Sequence, residues 1–321
     1  MAVNQVEIRV KGRNTLVPAA EIDGRTVITK GGWIKTASIR DEEVVEGELV
    51  RDPEQFIAAL KQSGLKADVL TFFQRVPDVT PRFRHHFEWE NYAAINTESF
   101  DAWWEKLPQE ARKNTRRSAK RGVVVKVVPF DDELARGIHR LCNETPVRQG
   151  RPFWHFGKDF ETIKREHATY LERSEFVGAY FQDELIGFIK MVYVDRVATI
   201  FHILAFNAHY DKRPLNALLA KCVEVCAQKG AGWFVYGQYT YGNKKDSSLV
   251  EFKRRNGFEP VNFPRYYIPL TLKGKIYVAL RLYRGAVGLL PAPVLKRLLK
   301  IRDAIYRFRE KKGPPPPAKG D

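Results

Sequence analysis

The sequence predicts an α/β protein of the α+β kind: a mixed sheet flanked by helices, with a small α+β module before it and basic helices after it. Three observations predict this. Hydrophobic residues make up 44% and aromatic residues 12% of the 321, ample for a packed core. Short apolar runs alternate with capped amphipathic segments along most of the chain. From residue 123 onward the segments follow the order β-α-α-β-β-β-α-β-α-β.

Residues 1–95 read as the small module. "VEIRV", "LVPAAEIDGRTVIT" and "GGWIKTASI" are strand-like, with a hairpin signal at Asp23-Gly24. "DPEQFIAALKQSGL" has a cap at Asp52, Pro53 in its first turn and a stop at Gly64, the signature of a helix. "ADVLTFFQRV" is a strand, and "VPDVTPRF" is a proline-broken connection. Residues 96–122 form a basic lead-in of two helices, with Thr97 as cap, Pro108 between them and Gly122 at the end.

In residues 123–272, "VVVKVVPF" is a strand, and "DDELARGIHRLCNET" and "GKDFETIKREHATYLERS" are helices. "EFVGAYFQDELIGFIKMVYVD" is a strand, a tight turn and a strand, and "RVATIFHILAFNA" is the next strand. "DKRPLNALLAKCVEVCAQKG" is a helix with Pro214 in its first turn and Gly230 past its end. "GWFVYGQYTYG" is a strand, "DSSLVEFKRRNG" a short helix and "FEPVNFPRYYIPLT" a final strand pair. Residues 273–312 read as basic amphipathic helices and 313–321 as a disordered tail. No internal repeat is legible.

The net charge of +16 is concentrated. Residues 1–110 sum to −4, 111–126 to +7, 127–272 to +3 and 273–312 to +10. Two positive segments of this kind suit an anionic partner: a phosphate-bearing donor, nucleic acid or an acidic membrane surface. Three cysteines make no disulfide framework and suit a reducing compartment. The opening "MAVNQVEIRVKG" has no apolar core of a signal peptide, so the expected location is cytoplasmic, with peripheral contact at the inner face of the membrane. Cys222 and Cys226 share a helix face without histidines to complete a zinc site, so no metal is expected.

The order after residue 122 resembles the GNAT acyltransferase fold over residues 123–272. "GAYFQDELIGFIKM" is similar to that family's hairpin, and "SLVEFKRRNGFEPV" to its closing helix and strand. "EFK" followed by "GF", and "RRSAKRGVVVKV" leading into a strand, also resemble FemAB-type peptidyltransferases. The resemblance implies acyl transfer by direct attack of an amine on an activated acyl donor. An acyl-CoA donor is the first reading; an aminoacyl-tRNA donor serving a lipid-linked or cell-envelope acceptor is the second.

The GNAT phosphate loop "[QR]-x-x-G-x-[GA]" falls here on Arg213–Leu218, where Arg213 matches and Asn216 and Leu218 depart. Lys212, Arg213 and Asn216 are the candidate donor-binding residues there. The resemblance also implies a polarising backbone N–H on the stretch Ala205, Phe206 and Asn207. Tyr239 and Tyr241, just past a strand, are candidate proton donors, and Lys253 of "EFK" is a candidate contact to the donor's phosphate or carbonyl. The loop 143–160 is polar and aromatic. It offers Glu144 as base, Arg148 as anion clamp, and Gln149, Trp154 and His155 as acceptor contacts.

Two non-catalytic readings stand beside the enzyme. The basic segments alone give salt-sensitive binding to nucleic acid, with no motif for sequence-specific DNA recognition. A catalytically dead relative serving as a membrane-associated scaffold would share the fold.

Overall fold

The structure is a computed structural model and describes residues 3–10, 13–42, 50–76, 78–148, 151–241 and 247–285. The strands are β1 (Asn4–Val10), β2 (Arg13–Ile22), β3 (Arg25–Lys30), β4 (Thr36–Ile39), β5 (Val69–Phe73), β6 (Phe87–Asn96), β7 (Val124–Val128), β8 (Val147–Arg148), β9 (Arg151–Pro152), β10 (Ser174–Phe181), β11 (Glu184–Val194), β12 (Val197–Ala205), β13 (Trp233–Gln238) and β14 (Glu259–Pro269). The helices are α1 (Pro53–Gln62), α2 (Phe100–Lys106), α3 (Gln109–Lys120), α4 (Asp132–Cys142), α5 (Phe160–His167), α6 (Pro214–Gln228), α7 (Ser248–Arg255) and α8 (Leu272–Ala279).

The caps form where the residue types call for them. Asp52, Ser99, Asp131, Asp159 and Ser247 each accept a first-turn N–H of the helix that follows. Gly64, Gly122, Gly230 and Gly257 lie just past helices α1, α3, α6 and α7 at φ between 69° and 80°.

Twelve strands join one sheet in the order β1-β2-β3-β4-β5-β14-β6-β13-β12-β11-β10-β7. Read inward from each edge, this order repeats itself. The first half runs β1, β2, β3, β4, β5, β14, and the second runs β7, β10, β11, β12, β13, β6. In both, three antiparallel pairings precede one parallel pairing and then another antiparallel one. The parallel crossover contains α1 in the first half and α6 in the second. The last strand of each half is handed across: β14 sits beside β5, β6 sits beside β13, and the two pair with each other at the centre.

The repeat hides in the sequence because the first half is stripped. α4 and α5 lie between β7 and β10, whereas β1 and β2 are joined directly. No counterpart of α7 occurs between β5 and β6 among the described residues. The central strand β6 carries no clear alternation and is absent from the sequence-based element list. The expected final strand pair is a single strand, β14, which continues through Pro260 and Pro264.

Alternate residues of the second half's strands face opposite layers, as strand geometry requires. Val177 and Ile189 pack under α6 with Leu218, Leu219, Cys222 and Cys226. Phe176 and Phe188 pack under α4 with Leu134, Ile138, Leu141 and Cys142. All three cysteines are therefore core thiols, and burial pushes Cys142 and Cys226 up to about 12. In the first half, Phe56, Ile57 and Leu60 of α1 cover Leu70, Phe72 and Tyr266. α5 ends at His167, earlier than expected, and the chain turns through Tyr170 at φ 55° into a short 3-10 turn.

Candidate active site

The parallel strands β12 and β13 pair only through Val197–Thr199 and Trp233–Val235. Beyond that they part, because each finds another partner for its backbone. Asn91 on β6 draws β13 aside: its carbonyl oxygen accepts from the Tyr239 N–H at 3.0 Å and its Oδ1 from the Thr240 N–H at 2.7 Å. Gly237 makes the turn at φ 51°. On the other side, Arg148 donates to the Ala205 carbonyl at 3.1 and 3.2 Å, and Phe201 is bulged out of the β11–β12 ladder.

The gap opens into a cavity of about 310 Å³ between Arg213, Leu215 and Asn216 of the α6 entrance, Tyr236 of β13, and Leu249 and Phe252 of α7. Lys253 lies buried beside it. Its Nζ donates to the Gln238 carbonyl at 2.6 Å and sits 4.5 and 5.1 Å from the ring centres of Tyr236 and Tyr241. Burial lowers the lysine to about 8, well under its ordinary value. Burial also raises the phenol of Tyr236.

The entrance of α6 is a poor phosphate cradle. Pro214 has no N–H, and the N–H groups of Asn216 and Ala217 already donate to the Arg213 carbonyl at 3.2 and 3.5 Å. Asn216 is further tied to Asn256 by a 2.9 Å side-chain bond. Leu218, which departs from the loop pattern, packs into the core. Arg213 takes a left-handed conformation at φ 58° and leads the helix without a side-chain cap. Lys212 is shared between Asp211 at 3.6 Å and the face of Phe181.

The other sequence-predicted residues divide. Tyr241 is exposed at the mouth, 48% accessible, while Tyr239 is half-buried on the α2 side of the sheet. Phe206 donates its N–H to the Ile186 carbonyl at 2.9 Å, and Ala208 donates to Glu144 at 3.1 Å. Of the stretch Ala205–Asn207 expected to supply a polarising N–H, the Phe206 N–H is already engaged. Asn207 opens the 3-10 turn that leads to Arg213. Glu144 also holds Arg148 at 2.6 Å. Glu144 and Arg148 together brace the α4–α5 loop against β12. Gln149 lies outside the described residues.

His155, the expected acceptor contact, is buried. It is 7% exposed, and its ring lies 6.0 Å from those of His167 and His202, which are 4.3 Å apart. Burial lowers His167 to about 4 and holds His202 well below the usual histidine range. Lys190, fully buried beside them, donates to the carbonyls of His167 and Thr169, and burial lowers it to about 8. Trp154 is exposed and carries Lys158 over its face at 4.3 Å, with Lys158 paired to Glu166.

Tyr236, Phe252 and Asn91 escape the sequence reading, although each shapes the slot. "EFK" singles out Lys253, so its neighbour Phe252 was within reach. Asn91 lies in the unrecognised strand β6 and left no signal.

No family model matches the sequence, and no curated protein matches it either. Solved structures do. FemX is 12% identical, covers 87% of this chain and 90% of its own, and superposes with a TM-score of 0.59. The chain shares that structure's fold. The C-terminal domain of a putative lysylphosphatidylglycerol synthetase from Agrobacterium fabrum is 14% identical, covers 85% of this chain and 90% of its own, and has a TM-score of 0.53. L-PGS from Bacillus licheniformis is 14% identical, with 83% and 88% covered and a TM-score of 0.51.

Proposed function

We propose that this chain is an aminoacyltransferase that takes an aminoacyl ester into the slot between β12 and β13 and passes it to an amine acceptor. The carrying observation is Lys253: a buried ammonium held on the Gln238 carbonyl at the end of β13, near a helix entrance whose backbone donors are largely spent. That entrance suits a donor held mainly by side-chain cations more than one needing a glycine-lined pyrophosphate cradle. Arg213, with the α3 cations Arg117, Lys120 and Arg121 behind it, supplies such a basic approach for a tRNA end. Arg121 is joined to Asp211 just ahead of Arg213.

In the step we envisage, the acceptor nitrogen attacks the ester carbonyl carbon and the carbonyl electrons move onto oxygen. Lys253 stabilises that oxyanion from a site of low polarity. Collapse re-forms the carbonyl and expels the carrier's alcohol oxygen, which takes up the proton the nitrogen loses. Tyr241 at the mouth is placed to relay that proton.

The reading draws support from the fold shared with FemX and with the lysylphosphatidylglycerol synthetase domain, whose product name denotes an aminoacylated lipid. An acyl-CoA donor is the second reading, and Arg213 at the start of α6 favours it. Two measurements separate them. Acetyl-CoA at a hundred times its Kd should raise stability by about 2.7 kcal/mol if it is the donor. Charged tRNA should lose its aminoacyl group to an added amine only under the first reading. Absence of that transfer, with a clear shift by acyl-CoA, overturns the proposal.

A further inference from the structure

We propose that α8 and the β3–β4 turn form a docking face for a bilayer rich in anionic phospholipid, on the same edge of the sheet as the slot. This does not depend on which donor the slot takes.

α8 buries one side and leaves an apolar row on the other. Gly274 lies against the Asp68 carbonyl, and Val278 packs on Ile34 and Val69. Leu272, Ile276 and Leu280 follow one another at i, i+4 and i+8, and are 74%, 49% and 59% exposed. Trp33, 70% exposed, lies next to Ile34 and lines one groove with Lys273. A tryptophan beside an aliphatic row on a helix lying along the surface is how interfacial helices enter the headgroup region.

The charge around the row names the partner. Lys35, Lys61, Lys66, Lys273, Lys275 and Arg281 are all exposed. Of the acidic groups beside them, Asp68 is already held by the Lys35 N–H and by Thr271, and Glu88 by Tyr283 and Arg284. Residues 286–312 continue the chain with eight Lys or Arg and two acidic residues. Cations ringing an apolar row match phosphates above acyl chains, whereas a protein partner offers no such generic match.

Topology sets the orientation. β5 and β13 are separated by three antiparallel pairings, so the start of β5 and the end of β13 face the same edge. α8 sits at the start of β5, and the slot opens at the end of β13. Docking therefore turns the slot toward the lipid surface.

The test is co-sedimentation of the full chain with vesicles of phosphatidylcholine alone or with one-third phosphatidylglycerol. Binding should need the anionic lipid, weaken at high salt, and fall by about tenfold or more in Ile276→Glu with Leu280→Glu. Both positions are exposed, so unchanged circular dichroism should accompany the loss. Lipids brominated on the acyl chains should quench the part of the emission that Trp33→Phe removes. Equal binding to neutral vesicles overturns the proposal, as does unaltered binding of the double variant. Concentration-dependent dimers abolished by the double variant, without lipid binding, also overturn it and make the row a self-contact.

Discussion

Lys253 is the residue whose chemistry is most altered by its surroundings. Its folded value near 8 lies below the ordinary lysine value, so the folded state releases the proton more readily than the unfolded one. Stability should therefore rise between pH 8 and the unfolded lysine range, while transfer, which needs the ammonium, should fall above pH 8. Denaturation midpoints and initial rates across that range give opposite slopes if Lys253 acts as proposed. Lys253→Met should abolish measurable transfer and leave the protein folded. The imidazoles have the same sign in a lower pH window. With His167 near 4 in the fold, the unfolded chain binds protons first as pH drops below 6.5. Stability should then decline from pH 6.5 towards 4, and His167→Phe should flatten that decline in denaturant titrations. Sequence reasoning picked out His155 and Lys253 as notable, but not their burial. One histidine in a polar loop and one lysine in a basic helix both look solvated until the sheet behind them is known.

At the scale of elements, the slot is held open by bonds from outside it. Arg148 fixes β12 by its Ala205 carbonyl, and Asn91 fixes β13 through two N–H groups. Asn91→Ala removes one of the Asn91 bonds, the one from its side chain, and should cost about 1 kcal/mol in unfolding free energy. It should depress transfer more than that, because the strand end that carries Gln238 and Tyr241 loses its anchor. Equal small losses in stability and rate would show that the parting is set by packing alone. Helices with a cap, a first-turn proline and a terminal glycine were legible from sequence, and so was the succession β7, β10, β11, β12, β13 along the chain, while the short strands β8 and β9 were read as loop. Such signals are local. β6 and the continuity of β14 were not legible, because the buried stretch Tyr92–Ile95 of β6 is a continuous run without alternation and proline reads as a break when its neighbours are unknown.

At the scale of the molecule, the two halves are joined by the β6–β14 pair and by charge. Arg265 of β14 reaches Glu90 on β6 at 2.5 Å and also pairs with Glu42. All three are largely or fully buried. Arg265→Met would strand two carboxylates, at a cost of about 3–5 kcal/mol measurable by chemical denaturation. A loss under about 1 kcal/mol would mean the seam rests on apolar contacts such as Tyr92 with Phe263.

The crossed strands have a corollary for any attempt to dissect this chain. Cutting between β6 and α2 leaves each fragment holding the piece that finishes its sibling's sheet, with a raw hydrogen-bonding margin where the other belongs. Neither fragment should persist in solution alone. Synthesised together, they should clasp into a nicked heterodimer that melts in one step, and the missing covalent bond would go unnoticed by the fold.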